Sequence, residues 1–107
     1  MYNYYFALAS TNFLMNEEPV EEILRERTNY YINIGKDIDF WFINNRAFIM
    51  DNMMYHQKSD MSYAAIISLD KDFIQWLKLR LIFVVTGEFK SKLDYNNIKI
   101  YPLQENA

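Results

Sequence analysis

The segment DKDFIQWLKLRLIFVVTGEF, residues 70–89, decides the fold predicted for this chain. Asp70 is a residue type that caps helix N-termini by accepting a backbone N–H bond, and Gly87 is typical of a helix C-terminus. We therefore predict a helix over residues 71–86. At about 100° per residue, Gln75 and Lys78 lie on its polar side. The opposite, broad face holds the larger apolar side chains Phe73, Trp76, Leu77, Phe83 and Val84.

Arg80 is the residue that does not fit this helix. It projects from the middle of the predicted apolar face, one turn after Trp76 and one turn before Val84. A guanidinium group stays charged, so burying it unpaired costs several kcal/mol. Arg80 therefore requires either an acidic partner or a position where the face opens to another molecule.

The composition bounds the class of protein. A length of 107 residues predicts one domain over residues 1–107, and 51% hydrophobic content predicts a substantial core rather than a disordered chain. A net charge of -3 makes general nucleic-acid binding unfavourable, because phosphate contacts need a basic surface. With 0 Cys and a single histidine, His56, the sequence offers no thiolate or multi-histidine metal site, and we expect no cofactor.

The sequence also lacks targeting and membrane-spanning signals. No apolar run approaches the roughly 20 residues of a membrane span, and the N-terminus has no basic region of a signal or transit peptide. We expect a protein without a transmembrane segment that acts in the compartment where it is translated.

Hydrophobic patterning predicts four strands and two helices. Alternation of side chains predicts strands at residues 2–9, 36–44, 62–69 and 98–103, the first of them central because both of its faces are apolar. The i, i+3, i+4 rhythm of Val20, Ile23, Leu24, Arg27 and Tyr31 predicts a helix that starts at residues 16–19, ends near Tyr31 and is closed by Gly35.

The order of these elements predicts the fold class. Strand, helix, strand, strand, helix, strand is the order of a ferredoxin-like α+β sandwich, with both helices on one face of a four-stranded antiparallel sheet. The irregular stretch of residues 45–61 is compatible with a short helix or with a mobile loop.

No residue pattern predicts catalysis. Glu17, Glu18, Glu21 and Glu22 are pairs of acids in the first turns of a helix, where they complement the helix dipole and face water. His56 lies in the irregular stretch without a nucleophile placed beside it, and the isolated glycines form no phosphate-binding loop.

The second predicted strand carries the other unusual pattern. Its alternation places Asp39 on the same face as Trp41, with Phe40 on the opposite face, and Asp39 needs a hydrogen-bond donor if that face is covered. Asp39 and Arg80 either form a buried ion pair that fixes the second helix on the sheet, or belong to a surface for a partner. In that second interpretation, a partly exposed Arg80 is flanked by aromatic residues, as in interface hot spots.

Four segments carry a family resemblance. They are FALAS at residues 6–10, the acidic EEP-x-EE start at 17–22, IDFW at 38–41 and FIQWLKLRLIFVVTGEF at 73–89. In this order and spacing the chain resembles, over residues 2 to about 90, a small protein family of cyanobacteria and plastids first catalogued as hypothetical chloroplast reading frame fifty-four.

The resemblance implies a function that the patterns alone do not. Members of that family look like non-catalytic accessory factors of the oxygen-dependent magnesium-protoporphyrin IX monomethyl ester cyclase, a di-iron enzyme of chlorophyll biosynthesis. The resemblance implies binding to the cyclase subunit through Asp39, Phe40 and Arg80, and we add Trp41 and Trp76 as neighbouring candidates. It further implies peripheral association with thylakoid membranes through that partner, in a plastid or in a cyanobacterial cell.

A small tetrapyrrole carrier is the alternative of a different class. The 18% aromatic content permits a ligand face for a porphyrin, while the absence of Cys and the lone histidine disfavour axial ligation of its metal. A third interpretation is an unrelated regulatory domain that self-associates through its sheet.

Overall fold

In a computed structural model, which describes residues 1–18, 20–53 and 62–92, four antiparallel strands form one sheet. The strands are β1 (Tyr2–Ser10), β2 (Phe40–Ile43), β3 (Tyr63–Ser68) and β4 (Val85–Ser91). The helices are α1 (Val20–Ile34), α2 (Arg46–Asn52) and α3 (Lys71–Leu81), with a π-helical turn at Phe13–Glu17. The order β2-β3-β1-β4 in the sheet confirms the predicted ferredoxin-like α+β class.

β1 is a central strand, as its apolar faces predict. It pairs with β3 on one side, where Phe6 lies opposite Ile67, and with β4 on the other, where Phe6 lies opposite Gly87. Successive side chains alternate between two cores: Tyr4 is buried on one face of the sheet and Ala7 on the other.

Both faces of the sheet are covered. α1 and α3 pack on one face, where Leu24 and Leu77 join Phe40 in a shared core, so the predicted packing of the two long helices is confirmed. The short helix α2 packs Ile49 on the other face, against Trp41. Residues 46–52 of the irregular stretch are therefore helical, while residues 54–61, with His56, lie outside the described part of the chain.

The predicted helix over residues 71–86 is wrong in its second half. α3 ends at Leu81, Ile82 has a positive φ of 66°, and residues 85–91 form β4. The run Val84-Val85-Thr86 is β-branched and favours a strand, and β1 offers it an edge to pair with. Gly87 is consequently a strand residue and does not end the helix.

This shorter helix also buries a different set of side chains. The buried face of α3 consists of Phe73, Ile74, Leu77 and Leu81. Trp76 and Phe83, which the longer helix placed on the apolar face, are 48% and 77% exposed. The predicted strand at residues 98–103 lies outside the described residues, and β4 occupies the edge of the sheet beside β1.

Two further boundaries differ from the prediction. β2 begins at Phe40, so Asp39 precedes the strand instead of sharing a strand face with Trp41. Asn16 belongs to the π-helical turn, and α1 extends to Ile34, beyond the predicted end near Tyr31. Gly35 closes α1 as predicted, with a φ of 71° that only glycine adopts at little cost.

Gly87 tests the packing of β4 against β1. A Cβ at residue 87 would meet the Cζ atom of Phe6 at 2.6 Å, and Phe6 is buried. We expect Gly87→Ala to lower the free energy of unfolding by about 1–3 kcal/mol, since the Phe6 ring must leave its position. Urea denaturation measures the change.

Gly35→Ala is the matched control, because nothing lies within 4 Å of a Cβ at residue 35 and only the φ of 71° opposes the substitution. Its expected cost is about 1 kcal/mol. A Gly87→Ala protein as stable as the wild type would contradict the close approach of β4 to Phe6.

Candidate functional site

Asp39 lies in a polar cluster at one end of the sheet. Its carboxylate accepts a hydrogen bond from the Tyr31 hydroxyl at 2.8 Å and one from the Lys36 ammonium at 2.8 Å. The Asp39 side chain is 17% exposed and that of Lys36 is 45% exposed. The donor that the sequence required for Asp39 is therefore supplied by α1 and by the loop that follows it.

Local backbone structure brings these groups together. Gly35 reverses the chain, and the Lys36 N–H donates to the Tyr31 carbonyl at 2.9 Å, which places Lys36 beside the last turns of α1. On the sheet side, the Asp39 carbonyl accepts bonds from the Ser68 hydroxyl at 2.9 Å and from the Leu69 N–H at 3.0 Å. Asp39 is thus held through its backbone as well as through its side chain.

Arg27 is the arginine that lies inside the structure. Its side chain is 23% exposed and pairs with Asp70 at 3.1 Å, and its Nη2 atom donates to the Tyr31 hydroxyl at 2.9 Å. The guanidinium carbon lies 3.7 Å from the centre of the Phe73 ring, a cation–π contact. The sequence analysis missed this role, although Arg27 already fell in the apolar register of the first helix.

Asp70 has two roles. One carboxylate oxygen accepts bonds from the backbone N–H groups of Asp72 and Phe73 at 3.0 and 3.4 Å, which confirms the predicted N-cap. The other oxygen pairs with Arg27. A single carboxylate therefore starts α3 and ties it to α1.

A row of aromatic rings leads from the core to the surface of α3. Phe40 is fully buried, and its ring centre lies 5.5 Å from that of Tyr31 and 5.6 Å from that of Phe73. Phe73 lies nearly parallel to Trp76, at 17° and 6.2 Å. The position of the half-exposed Trp76 ring therefore depends on buried rings behind it.

Arg80 does not pair with Asp39. It pairs with Glu18, at 3.5 Å, and the two side chains are 50% and 38% exposed. Of the two alternatives, the buried Asp39–Arg80 ion pair does not form, because α3 turns Phe73, Ile74, Leu77 and Leu81 to the core and leaves Arg80 on its exposed side. There it is one turn from Trp76, and the two side chains share a surface.

Trp41 lies away from this surface. It is 4% exposed and packs against Tyr4, at 6.0 Å between ring centres, on the face of the sheet that α2 covers. Of the five predicted partner-binding residues, Trp76 and Arg80 are exposed on α3, and Phe40 is buried behind Phe73, on which Trp76 lies. Asp39 lies near the start of α3, beside Ser68 and Leu69, and Trp41 lies on the opposite side of the sheet.

The Asp39 cluster shifts two pKa values. Burial, followed by the hydrogen bond to Asp39, raises the pKa of the Tyr31 hydroxyl above its ordinary 10.0. The hydrogen bond to Asp39 raises the pKa of the Lys36 ammonium above 10.5, against the opposing effect of burial. At neutral pH the cluster is therefore a stable set of a neutral phenol, a cation and an anion.

The chemistry available around this cluster is limited. No group of three or more His, Cys, Asp or Glu residues within the described ranges is arranged to hold a metal ion. A groove of about 270 Å³ between α3 and the sheet is lined by residues that include Tyr5, Gln75 and Glu88. The exposed Arg80–Trp76 side of α3 is suited to contact with another macromolecule.

Fold and surface together define a small ferredoxin-like α+β protein with an arginine–tryptophan helix face. The model of one protein family, described as Ycf54 protein, matches residues 2–91. The chain belongs to this Ycf54 family, which is the hypothetical chloroplast reading frame that the four sequence segments indicated.

Relatives in a red alga and in cyanobacteria agree. "Uncharacterized protein ycf54" of Porphyra purpurea is 50% identical over 95 residues, which cover 87% of this chain and 88% of the relative. The crystal structure of a Ycf54 protein from Thermosynechococcus elongatus is 48% identical, with a TM-score of 0.74, and covers 84% of this chain and 86% of its own. The Ycf54 structure from Synechocystis sp. PCC6803 is 42% identical, with a TM-score of 0.77, over 88% and 90% of the two chains.

The raised pKa values predict how stability depends on alkaline pH. Above pH 10 the unfolded chain releases the Tyr31 and Lys36 protons before the folded chain does, so the free energy of unfolding falls as pH rises. Below pH 10 this stabilisation is fully present. We expect Tyr31→Phe to flatten the decline between neutral pH and pH 11, as measured by urea unfolding at a series of pH values.

Tyr30→Phe is the control, because it removes the adjacent tyrosine, which is 58% exposed, and leaves the Asp39 cluster intact. Equal alkaline slopes for the two variants would show that Tyr31 is not held neutral by Asp39 and by burial.

Proposed function

We propose that this protein is a non-catalytic accessory factor that binds the di-iron subunit of the oxygen-dependent magnesium-protoporphyrin IX monomethyl ester cyclase in chlorophyll biosynthesis. Its membership of the Ycf54 family supports the proposal, because the family resemblance implies this partner. The observation that carries it is the exposed pair Trp76 and Arg80 on α3, at 48% and 50% exposure. Tryptophan and arginine are the residues that most often dominate the energy of a protein interface.

The surroundings of this pair support direct contact with a protein. Leu79, between the two residues in sequence, is 79% exposed, so apolar surface adjoins the charged group. Arg80 has one long contact, to Glu18 at 3.5 Å. An exposed pair of this kind contributes little to stability, so Arg80 can exchange Glu18 for an acidic or carbonyl group of the partner at small cost.

We assign different roles to the other predicted residues. Asp39 and Phe40 act as positioning residues: Asp39 holds Tyr31 and Lys36, and Phe40 supports Phe73, on which Trp76 lies. Trp41 supports the sheet from its other face. In this proposal the loss of Asp39 weakens cyclase binding through the fold, and the loss of Arg80 weakens it through the contact itself.

The proposed location follows from the partner. Relatives come from a red alga and from cyanobacteria, which supports a plastid or a cyanobacterial cell as the location of the proposed function. Within residues 1–18, 20–53 and 62–92, every helix is too short or too polar to cross a bilayer. Association with thylakoids through the cyclase would then be peripheral.

The groove beside α3 offers little to the alternative of a tetrapyrrole carrier. Its volume of about 270 Å³ is below the range of roughly 300–1,000 Å³ usual for pockets that hold drug-sized ligands. A Soret-band titration with magnesium-protoporphyrin monomethyl ester tests this alternative directly, and a saturable shift would favour it over the accessory factor.

Arg80 provides the first test of the proposed contact. Tagged wild-type protein and Arg80→Ala are incubated with solubilised photosynthetic membranes, and the retained di-iron subunit is quantified. We expect Arg80→Ala to retain at least about tenfold less cyclase, since hot-spot substitutions cost about 2 kcal/mol or more. Circular dichroism establishes that both proteins are folded.

Arg25→Ala is the matched control, because Arg25 is 56% exposed and pairs with Glu21 on α1 much as Arg80 pairs with Glu18. It should retain as much cyclase as the wild type. A folded Arg80→Ala protein that retains the wild-type amount would refute the assigned contact.

Asp39→Ala tests the positioning role. It leaves Tyr31 and Lys36 without their shared acceptor, so we expect the free energy of unfolding to fall by about 1–3 kcal/mol. Cyclase retention per folded molecule should fall less than for Arg80→Ala. A fully stable Asp39→Ala protein that has lost all retention would instead make Asp39 a direct contact.

A further inference from the structure

The turn between α3 and β4 exposes three large apolar side chains, which we call the apolar tip: Leu79, Ile82 and Phe83. Their exposed fractions are 79%, 59% and 77%. Phe83 makes an edge contact with the ring of Phe13, at 6.3 Å between centres, and still presents most of its surface to solvent. These three residues lie within five positions of the sequence, so the tip exposes a concentration of apolar surface to water, which is unfavourable.

The backbone of the tip is strained. Ile82 has φ 66° and ψ -56°, and the Phe83 N–H donates to the Leu81 carbonyl at 2.7 Å. These angles and this hydrogen bond define a γ-turn with a positive φ at its central residue, which is rarer and more strained than the inverse γ-turn. A β-branched side chain is among the least suited to a positive φ, and glycine would adopt it without strain. The strained backbone holds an isoleucine whose side chain is exposed, so no burial offsets the strain. This indicates a role other than stability.

Several backbone polar groups of the same turn are bonded within it. The Ile82 N–H donates to the Lys78 carbonyl at 2.8 Å, and the Phe83 N–H is bonded as described. The Lys78 ammonium donates to the carbonyls of Ile82 at 3.0 Å and Val84 at 2.8 Å. The tip can therefore leave water without stranding these backbone groups, which is the condition for entering hydrocarbon.

The flanking charges have the sign and position for a membrane surface. The Lys78 ammonium lies at the base of the turn, where it bonds the carbonyls of Ile82 and Val84. Arg80, which pairs with Glu18 at 3.5 Å and is 50% exposed, lies beside it on a long apolar stem that can keep its cation at the level of lipid headgroups. A pocket on a partner protein would normally form hydrogen bonds with such a segment as well as bury its apolar area. Because these backbone groups of the turn are already bonded, the surface that it exposes is mainly apolar. This favours a lipid bilayer over a protein as the partner of the apolar tip.

We propose that the apolar tip inserts into the interfacial region of a lipid bilayer. Leu79, Ile82 and Phe83 enter the boundary between headgroups and acyl chains, and Lys78 and Arg80 remain at headgroup level. This contact is direct and goes beyond the proposed binding of the cyclase subunit. It orients the Trp76–Arg80 surface, which adjoins the tip on α3, close to the membrane plane.

Pure lipid vesicles test the proposal without any partner protein. The full chain is mixed with vesicles of phosphatidylcholine, and with vesicles that also contain phosphatidylglycerol, and bound protein is measured by flotation. We expect binding to both, accompanied by a blue shift in the emission of Trp76. The double variant Leu79→Gln, Phe83→Gln should lower the partition coefficient at least about tenfold, because two apolar side chains no longer leave water.

Ile32→Gln is the matched control, since Ile32 is 68% exposed on α1, outside the tip, and its replacement should leave vesicle binding unchanged. Ile82→Gly serves as a second variant that relieves the strained φ while removing one apolar side chain, so it should be folded and bind more weakly. Failure of the wild type to float with either vesicle would overturn the proposal, as would equal losses for the tip and control variants.

Two other outcomes would also overturn the proposal. One is binding only to anionic vesicles, abolished by salt and unaffected by the tip variants, which would reduce the contact to general electrostatics. The other is unchanged flotation together with lost cyclase retention in the tip variants, which would assign the tip to a protein pocket. The Arg80→Ala protein could bind vesicles and also retain as much cyclase as the wild type. That result would support membrane insertion of the apolar tip and would refute the proposed docking contact of Arg80.

Discussion

The ion pair between Arg27 and Asp70 is the interaction on which the arrangement of the helices depends. Asp70 caps α3 with one oxygen and binds Arg27 of α1 with the other, at 3.1 Å. Arg27 in turn lies on the Phe73 ring, at 3.7 Å, so the helices are joined by a charge pair and by a cation–π contact. The side chains of Arg27 and Asp70 are 23% and 35% exposed, so loss of Asp70 would leave a partly buried guanidinium without its acidic partner.

Around this ion pair, some residues support the exposed surface of α3 from behind, and others form that surface. Phe40 is inaccessible and contacts Tyr31 and Phe73, the ring on which the exposed Trp76 lies, while the partly buried Asp39 holds Tyr31. Substitutions at buried and exposed positions can therefore reduce binding of the same partner for different physical reasons. A stability measurement beside each binding measurement separates the two.

Local signals predicted much of this fold, and long-range pairing determined the rest. The Asp70 cap, the Gly35 helix end and the two faces of β1 depend on near neighbours in sequence, and all are confirmed. The pattern of residues 82–86 is compatible with the apolar face of a helix and with a β-branched strand. Pairing with the free edge of β1 favours the strand for residues 85 and 86. Likewise, Arg80 and Arg27 both fell in apolar registers, and the face that each helix packs against the core decides which arginine is the more buried.

The central position of β1 has a consequence for how the chain folds. Phe6 pairs with Ile67 and with Gly87, so both neighbours of β1 in the sheet come from the second half of the chain. Contacts so distant in sequence slow folding, because a large loop must close before they form. Until then the apolar side chains of β1 are exposed, and exposed apolar strands of this kind favour aggregation of the incompletely folded chain.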